Sequence, residues 1–211
     1  MSGVSFLSLR YKFSKKFFVS RFSYKLTNYK KDIRTMIDKD LTTNFYIRKA
    51  TIEDAEKIHQ IMLLTQQALE DKTLYVCDDL DYVKEHIEKQ GFTVVACRED
   101  GNIIGSFLFR YPKIEEDNLG RDIGMKEDEL ERVVHMESAV VLQNFRGNHL
   151  QEKMLRFGET LIDKNQYHYF MATVSPKNPA SYLTLEKCGY QLIKTKQKYG
   201  GLIRRIYQKQ V

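Results

Sequence analysis

The residues whose types and spacing best suit ligand binding lie where a predicted strand runs into a predicted helix. After an apolar run that ends near Val141, the chain turns through Arg146, Gly147 and Asn148, and a helix begins at about His149. The free backbone N–H groups of a helix's first turn and the positive end of the helix dipole attract anions. Arg146 adds a positive charge, and a glycine at position 147 lets the backbone approach a phosphate closely. The segment therefore predicts an anion-binding turn.

A second segment with a recognisable pattern follows later in the chain. Asn178 is a predicted helix cap, and Pro179 occupies the first helical position, which proline favours. Ser181 lies in the first turn of the same helix, and residues 186–190 read Glu-Lys-Cys-Gly-Tyr at its end.

Together these segments resemble the motifs of the GNAT superfamily of N-acetyltransferases. Residues 146–151, with the apolar strand before them, resemble the acyl-CoA-binding motif R-G-x-G-x-G/A. Residues 174–190 resemble the second motif, V-x-x-x-N-x-x-S followed by E-K-x-G-F/Y, and residues 47–54 look like the family's first strand and helix cap. The resemblance runs from Phe45 to the C-terminus, about four fifths of the chain.

The resemblance implies direct transfer of an acetyl group from acetyl-CoA to a primary amine, without a metal or a covalent enzyme intermediate. A backbone N–H near Val140 and Val141 would hold the developing oxyanion. His149 and Gln151 stand where the family favours small residues, but their backbone N–H groups are retained. The implied cofactor-binding residues are Val140, Val141, Arg146, Gly147, Asn148, His149, Leu150, Gln151, Asn178 and Ser181.

Glu137 is the candidate general base, because similar family members often carry a glutamate on this strand. An acceptor ammonium has a pKa near ~10 and must lose a proton before it attacks a thioester, which a carboxylate can assist directly or through water. A solvated or ion-paired side chain is the alternative interpretation of Glu137. No general acid is identified: Leu185 stands where the family often has a tyrosine, and water or a tyrosine such as Tyr207 could serve.

The elements that must position these residues follow from hydrophobic periodicity and turn chemistry. Thr51 and Asp54 form a capping-box-like start to an amphipathic helix. Strands are predicted at residues 45–49, 92–97, 103–109, 133–142 and 167–174, with two more on either side of the turn at 199–201. Helices are predicted after Thr51, at 79–89, from His149 to about Lys164 and from Pro179 to Gly189. The acidic stretch 112–131 reads as a long connection, and we expect it to form part of the acceptor pocket.

This order predicts an α/β fold, a mixed and mostly antiparallel central sheet flanked by helices, as in GNAT-like proteins. The domain is expected to span residues 36–211. Residues 1–35 form a basic extension with nine Lys/Arg side chains and one acid, a net charge of +8, so the remaining residues carry −2 of the chain's +6. The extension resembles a transit or membrane-surface segment, and it could also contact nucleic acid. The alternative is an extension that adds nothing to the fold.

Composition narrows the remaining possibilities. The three cysteines are far apart in the chain, without a CxxC or Cys/His ligand spacing, which favours reduced thiols in a cytoplasmic protein. Neither a membrane span nor a nucleic-acid partner is expected, whereas a homodimer is possible. Two alternatives to an enzyme stay open: a non-catalytic acyl-CoA-binding sensor, and a nucleic-acid-binding protein that uses the basic extension.

The acceptor is an unidentified small-molecule or peptide amine, and the acids of the 112–131 stretch suit a cationic one such as a polyamine or aminoglycoside.

Overall fold

Seven strands form the frame of residues 44–211, the part of the chain that the structure, a computed structural model, describes. The bounds of the first five differ by no more than two residues from those predicted. The strands are β1 (Phe45–Lys49), β2 (Gly91–Arg98), β3 (Ile103–Arg110), β4 (Val133–Val141), β5 (Tyr169–Val174), β6 (Gln191–Lys198) and β7 (Leu202–Gln210). The predicted boundary between residues 35 and 36, and the roles expected of the basic extension, lie outside the described residues.

Six α-helices accompany the strands in this part of the chain. They are α1 (Ala55–Ala68), α2 (Leu80–Glu88), α3 (Leu119–Asp122), α4 (Glu127–Leu130), α5 (Leu150–Thr160) and α6 (Pro179–Lys187). α5 ends at Thr160, before the predicted Lys164, because the Leu161 N–H donates to the Gly158 carbonyl at 2.9 Å and closes the last turn. The sequence analysis also missed α3 and α4, which are single turns inside the predicted loop and too short for a periodic signal.

The strands lie in one sheet in the order β1-β2-β3-β4-β5-β7-β6. Only β4 and β5 run parallel, and every other neighbouring pair is antiparallel. A mixed, mostly antiparallel sheet flanked by helices is the fold class predicted from the sequence, and it is confirmed.

Helices cover both faces of the central strands. Val94 and Ala96 of β2 pack in the same apolar cluster as Met154 and Leu155 of α5. The alternate residues of β2, Val95 and Cys97, point to the opposite face, where they pack in a second apolar cluster with side chains of α1 and α2: Ile58, Ile61, Met62 and Val83. Because successive side chains of a strand alternate between faces, a strand buried on both sides reads as a continuous apolar run, as β2 and β3 do.

α5 approaches the sheet closely at Gly158. A Cβ atom at this position would lie 2.0 Å from Cζ of Phe109 on β3, a separation that van der Waals contact does not allow. Because Gly158 has no side chain, α5 can lie this close to the sheet. This close packing helps to position the N-terminus of the helix.

Within residues 44–211, no helix combines the length and the apolar character that crossing a membrane requires.

Candidate active site

The sheet opens between β4 and β5, next to the predicted catalytic strand. The parallel pairing of these strands ends at Met136 and Ala172, whereas β4 continues to Val141. On the other side, β4 remains paired with β3, but two of its residues, Ser138 and Ala139, stand opposite Phe107 alone. This bulge places Ser138 in a left-handed conformation with φ of 46°. Strain of this kind is concentrated at functional sites.

The N-terminus of α5 lies beyond the end of β4 and has the features of an anion site. His149 precedes the helix with φ of 56°, and its side chain does not cap the free N–H groups. Arg146, Gly147, Asn148 and His149 are all exposed, and a Cβ atom at Gly147 would meet nothing within 4 Å. Uncapped N–H groups facing open space fit a pyrophosphate group. The chain also positions Arg146, whose Nε donates to the Val141 carbonyl at 3.2 Å.

The two sequence motifs meet at this end of the sheet. Gln151 Nε2, in the first turn of α5, donates a hydrogen bond to Ser181 Oγ, in the first turn of α6, at 3.1 Å. Asn178 caps α6 as predicted, because its Oδ1 accepts the Ser181 N–H at 3.2 Å. The side chain of Leu150 is buried in the apolar core, so only its backbone can face a ligand.

The backbone of Val141, rather than that of Val140, faces the opening. The Leu142 N–H donates to the Ile104 carbonyl of β3 at 2.9 Å, so Leu142 directs its N–H towards β3. The N–H and C=O groups of successive strand residues point to alternate sides. The Val141 N–H therefore points away from β3, to the side where β5 no longer pairs with β4. Val140 directs its backbone polar groups towards β3 and its side chain into the core.

Glu137 lies at the start of the unpaired part of β4 and takes part in three polar contacts. Its Oε1 accepts from Arg110 Nε at 3.1 Å and lies 2.9 Å from His135 Nδ1, and its Oε2 accepts from Tyr82 Oη at 2.9 Å. Burial disfavours the ionised carboxylate, but the hydrogen bond from His135 and the charge of Arg110 outweigh it and hold the pKa of Glu137 well below its usual range. The carboxylate is therefore a fixed negative charge.

The protonation of His135 follows from its contacts. The Leu119 N–H donates to His135 Nε2 at 2.9 Å, so Nε2 carries a lone pair and the proton is on Nδ1. His135 is therefore neutral and donates through Nδ1 to Glu137. Its 3.1 Å contact with Arg110 Nη2 joins two donors and is not a hydrogen bond.

Arg110 is almost fully buried and holds three carboxylates around its guanidinium group. It contacts Glu115 at 2.7 Å, Asp117 at 2.6 Å and Glu137 at 3.1 Å. Three negative charges against one positive charge leave an excess of two. Glu115 and Asp117 come from the predicted acidic connection, and their side chains are about half exposed at 49% and 59%.

The other acids of that connection have different environments. The carboxylate of Asp122 is paired with Lys196 and Lys198 of β6, which holds its pKa below the usual value against the opposing effect of burial. Glu129 accepts the N–H of Lys126 and the hydroxyl of Tyr169. The remaining acids of the stretch are exposed: Glu116, Glu127, Asp128 and Glu131.

Sequence reasoning missed a further group of side chains next to Glu137. Asp78, between α1 and α2, accepts a hydrogen bond from the Ser138 hydroxyl across 60 residues of chain. Tyr82 and His86 of α2 stack with ring centroids 3.9 Å apart. The His86 ring is buried, its Nδ1 donates to the Tyr82 carbonyl at 2.7 Å, and its Nε2 has no hydrogen-bond partner among the described residues. No local motif marks these residues, because the sheet alone brings them to β4.

The tyrosines near the opening differ in their accessibility. Tyr207, considered as a general acid from the sequence, is fully buried, and its hydroxyl donates to Glu186 at 2.7 Å. Leu185 is buried in the core. Tyr199, in the β6–β7 turn, is exposed and lies 3.1 Å from the Thr173 hydroxyl of β5.

Residues 44–211 contain no group of three or more His, Cys, Asp or Glu side chains arranged to hold a metal ion.

Known proteins resemble this chain in sequence and in fold. Residues 55–190 match the sequence model of the acetyltransferase (GNAT) family. No curated protein matches the chain.

Several solved structures share the fold at low sequence identity. The yncA protein of Salmonella typhimurium, solved with its cofactor acetyl-CoA, is 18% identical, has a TM-score of 0.57, and aligns over 79% of this chain and 94% of its own. A GNAT-family acetyltransferase from Listeria monocytogenes is 22% identical, with a TM-score of 0.59 over 79% and 95% of the two chains. The aminoglycoside acetyltransferase AAC(6')-Ib, solved with coenzyme A and kanamycin, is 15% identical, with a TM-score of 0.59 over 79% and 95%.

Proposed function

The chain belongs to the acetyltransferase (GNAT) family and is an acetyl-CoA-dependent N-acetyltransferase, and we propose the following roles for its residues. The N-terminus of α5, with Arg146 and the open turn at Gly147, holds the pyrophosphate of acetyl-CoA. Gln151 and Ser181 fix the two helix N-termini relative to each other, and Asn178 keeps α6 capped. Acetyl-CoA supplies the activated acetyl group when it is bound.

The Val141 N–H polarises the thioester carbonyl. Its direction, away from β3 and into the opening beside β5, is the single observation that carries this proposal. A donor aimed at the position where negative charge develops, on a strand fixed by β3, needs no reorganisation during the reaction. Val140 contributes to the same site by holding β4 in register through its contacts with β3 and the core.

Glu137 is the proposed catalytic carboxylate on the acceptor side. Its low pKa keeps it ionised at neutral pH, so it attracts the ammonium group of the acceptor and holds it in the site. The two excess negative charges around Arg110 also attract a cation, which supports a cationic amine as the acceptor.

A direct assay tests this function. The protein is incubated with acetyl-CoA and a panel of amines that includes polyamines, aminoglycosides and peptides, and free thiol release is followed together with the acetylated product. We expect turnover with at least one cationic amine. Thermal-shift measurements with acetyl-CoA and with longer acyl-CoAs show whether the donor binds and which acyl chain fits.

The outcomes separate the proposal from the non-catalytic sensor. Stabilisation by acetyl-CoA without turnover of any amine, and without an effect of Glu137→Gln, would favour a sensor. Absence of stabilisation by any acyl-CoA would contradict the cofactor site itself. The possible homodimer and the cytoplasmic location stay predictions.

A further inference from the structure

We propose that Asp78, in the segment between α1 and α2, is the group that takes the proton from the acceptor ammonium. The inference rests on the proposed function, and it assigns a separate task to each of two neighbouring carboxylates. Glu137 remains ionised and attracts the cation, whereas Asp78 accepts the proton.

The position of Asp78 is fixed by the bulge in β4. Ser138, the left-handed residue of the bulge, donates its hydroxyl proton to Asp78 Oδ2. Glu137, Ser138 and Ala139 are all half-buried, unlike the four buried residues that precede them on β4. The Asp78 carboxylate therefore lies beside the part of β4 from which β5 has separated.

The spacing along β4 suits the reaction. Ser138 and Val141 are three residues apart, which corresponds to at most about 10 Å, because the bulge at Ser138 shortens the strand. A carbonyl bound to the Val141 N–H, an amine in contact with its carbon and one further hydrogen bond span a similar distance. The acceptor nitrogen can then contact the thioester carbon and Asp78 at the same time.

The environments of the two carboxylates push their pKa values apart. Burial raises the pKa of Asp78, and the negative charge of Glu137 raises it further, against the opposing hydrogen bond from Ser138. The pKa of Glu137 is lowered, as described above. Neighbouring carboxylates with opposite shifts typically divide the acid–base roles between them. Asp78 is the better proton acceptor because its conjugate acid is the weaker of the two.

The groups around Asp78 support a proton-transfer site. Tyr75, Cys77, the α2 side chains Tyr82 and His86, and Glu137 all lie near Asp78, and Tyr82 also donates to Glu137. The Tyr75 hydroxyl and His86 Nε2 are buried and have no hydrogen-bond partner among the described residues. Buried polar atoms without a partner are costly unless a ligand or water satisfies them, so they point to an occupant of this space.

The proposed step balances. One ammonium proton passes to the Asp78 carboxylate, and the freed lone pair of nitrogen forms the C–N bond. The C–S bond breaks, and its electron pair goes to sulfur. The second nitrogen proton reaches the sulfur through solvent, so the products are an amide and a neutral thiol, and Asp78 returns its proton to solvent.

Asp78→Asn tests the assignment, with Asp81→Asn, an exposed acid on α2, as the matched control. We expect Asp78→Asn to lower kcat by about 10²–10⁴-fold, the usual contribution of a general base, while the thermal shift with acetyl-CoA is retained. The residual rate should rise about tenfold per pH unit below the pKa of the amine, because only amine already deprotonated in solution then reacts. Asp81→Asn should keep the wild-type kcat and pH profile.

Ser138→Ala provides a second measurement if Asp78→Asn folds poorly. Loss of the hydrogen bond to the ionised carboxylate should raise the pKa of Asp78 and move the acidic limb of kcat/KM to higher pH. If the wild type is active and neither Asp78→Asn nor Ser138→Ala changes the pH profile, the assignment of Asp78 is overturned while the proposed function stands. A wild type that acetylates no amine would instead contradict the proposed function.

Discussion

Gln151 Nε2 lies 3.1 Å from Ser181 Oγ, and this hydrogen bond joins the first turns of α5 and α6. The two residues are 30 positions apart in the chain and come from the two separate motifs recognised in the sequence. The side chain of Gln151 therefore reaches from its own helix to the neighbouring one.

This bond predicts energetic coupling between the two positions. Gln151→Ala and Ser181→Ala should each weaken acetyl-CoA binding several-fold, because a neutral hydrogen bond contributes about 1 kcal/mol. In the double variant the losses should be less than additive. Isothermal titration with CoA measures the cycle, and strictly additive losses would contradict a shared role.

Arg146→Gln should weaken binding of CoA by about tenfold, since a charge-assisted contact to a phosphate is lost. The wild-type affinity should fall more steeply with salt than that of the variant. Arg132→Gln, the same change at an exposed arginine next to the other end of β4, should leave the affinity unchanged. Equal losses at both positions would indicate a general charge effect.

The acids around Arg110 should matter for the acceptor rather than for the donor. Glu115→Gln combined with Asp117→Asn removes two negative charges and should raise KM for cationic amines, with little effect on KM for acetyl-CoA. Glu127→Gln combined with Asp128→Asn, which removes two exposed charges of the same connection, is the control. An unchanged acceptor KM in the first variant would argue against the acidic acceptor pocket.

The ion pair between Arg48 and Asp54 predicts a loss of stability in acid. Asp54 accepts from Arg48 at 2.6 and 2.9 Å, and this lowers the pKa of its carboxyl group. A carboxyl whose pKa is lower in the folded state stabilises the protein above its unfolded pKa of about 3.9, and this contribution is lost as the pH falls through the lower folded value. Urea unfolding at pH 7 and near pH 3 should show that Arg48→Gln costs about 1 kcal/mol at pH 7 and less in acid. An equal cost at both pH values would exclude the linkage.

Gly158→Ala should destabilise the protein by about 1–3 kcal/mol, because the new methyl group collides with the Phe109 ring. Phe109→Leu in the same chain should recover part of the loss by making room for it. Thermal unfolding measures both variants. A stabilising Gly158→Ala, as helix propensity alone would predict, would show that α5 can move away from the sheet without cost.

Local signals in the sequence were sufficient to predict most of the fold and one side of the candidate site. Strand alternation, the cap at Asn178 and the turn at Arg146–Gly147 act over a few residues, so their spacing is visible in the chain. The motifs also indicated the proposed cofactor side, where the proposed binding groups are backbone N–H groups at a helix start. Short elements such as α3 escaped prediction because one turn is too brief to show a period.

The acceptor side was decided by the tertiary structure. The sequence indicated Glu137 as a candidate general base but did not indicate its partners, since Arg110 is 27 residues away and Tyr82 is 55 residues away. Asp78 carried no signal at all, because its contact with Ser138 depends on a bulge in β4 and on the packing of α2 over the sheet. A side chain's pKa and its direction are set by neighbours that only the order of the strands brings together, whereas a helix cap or a turn is set by the residues beside it in the chain.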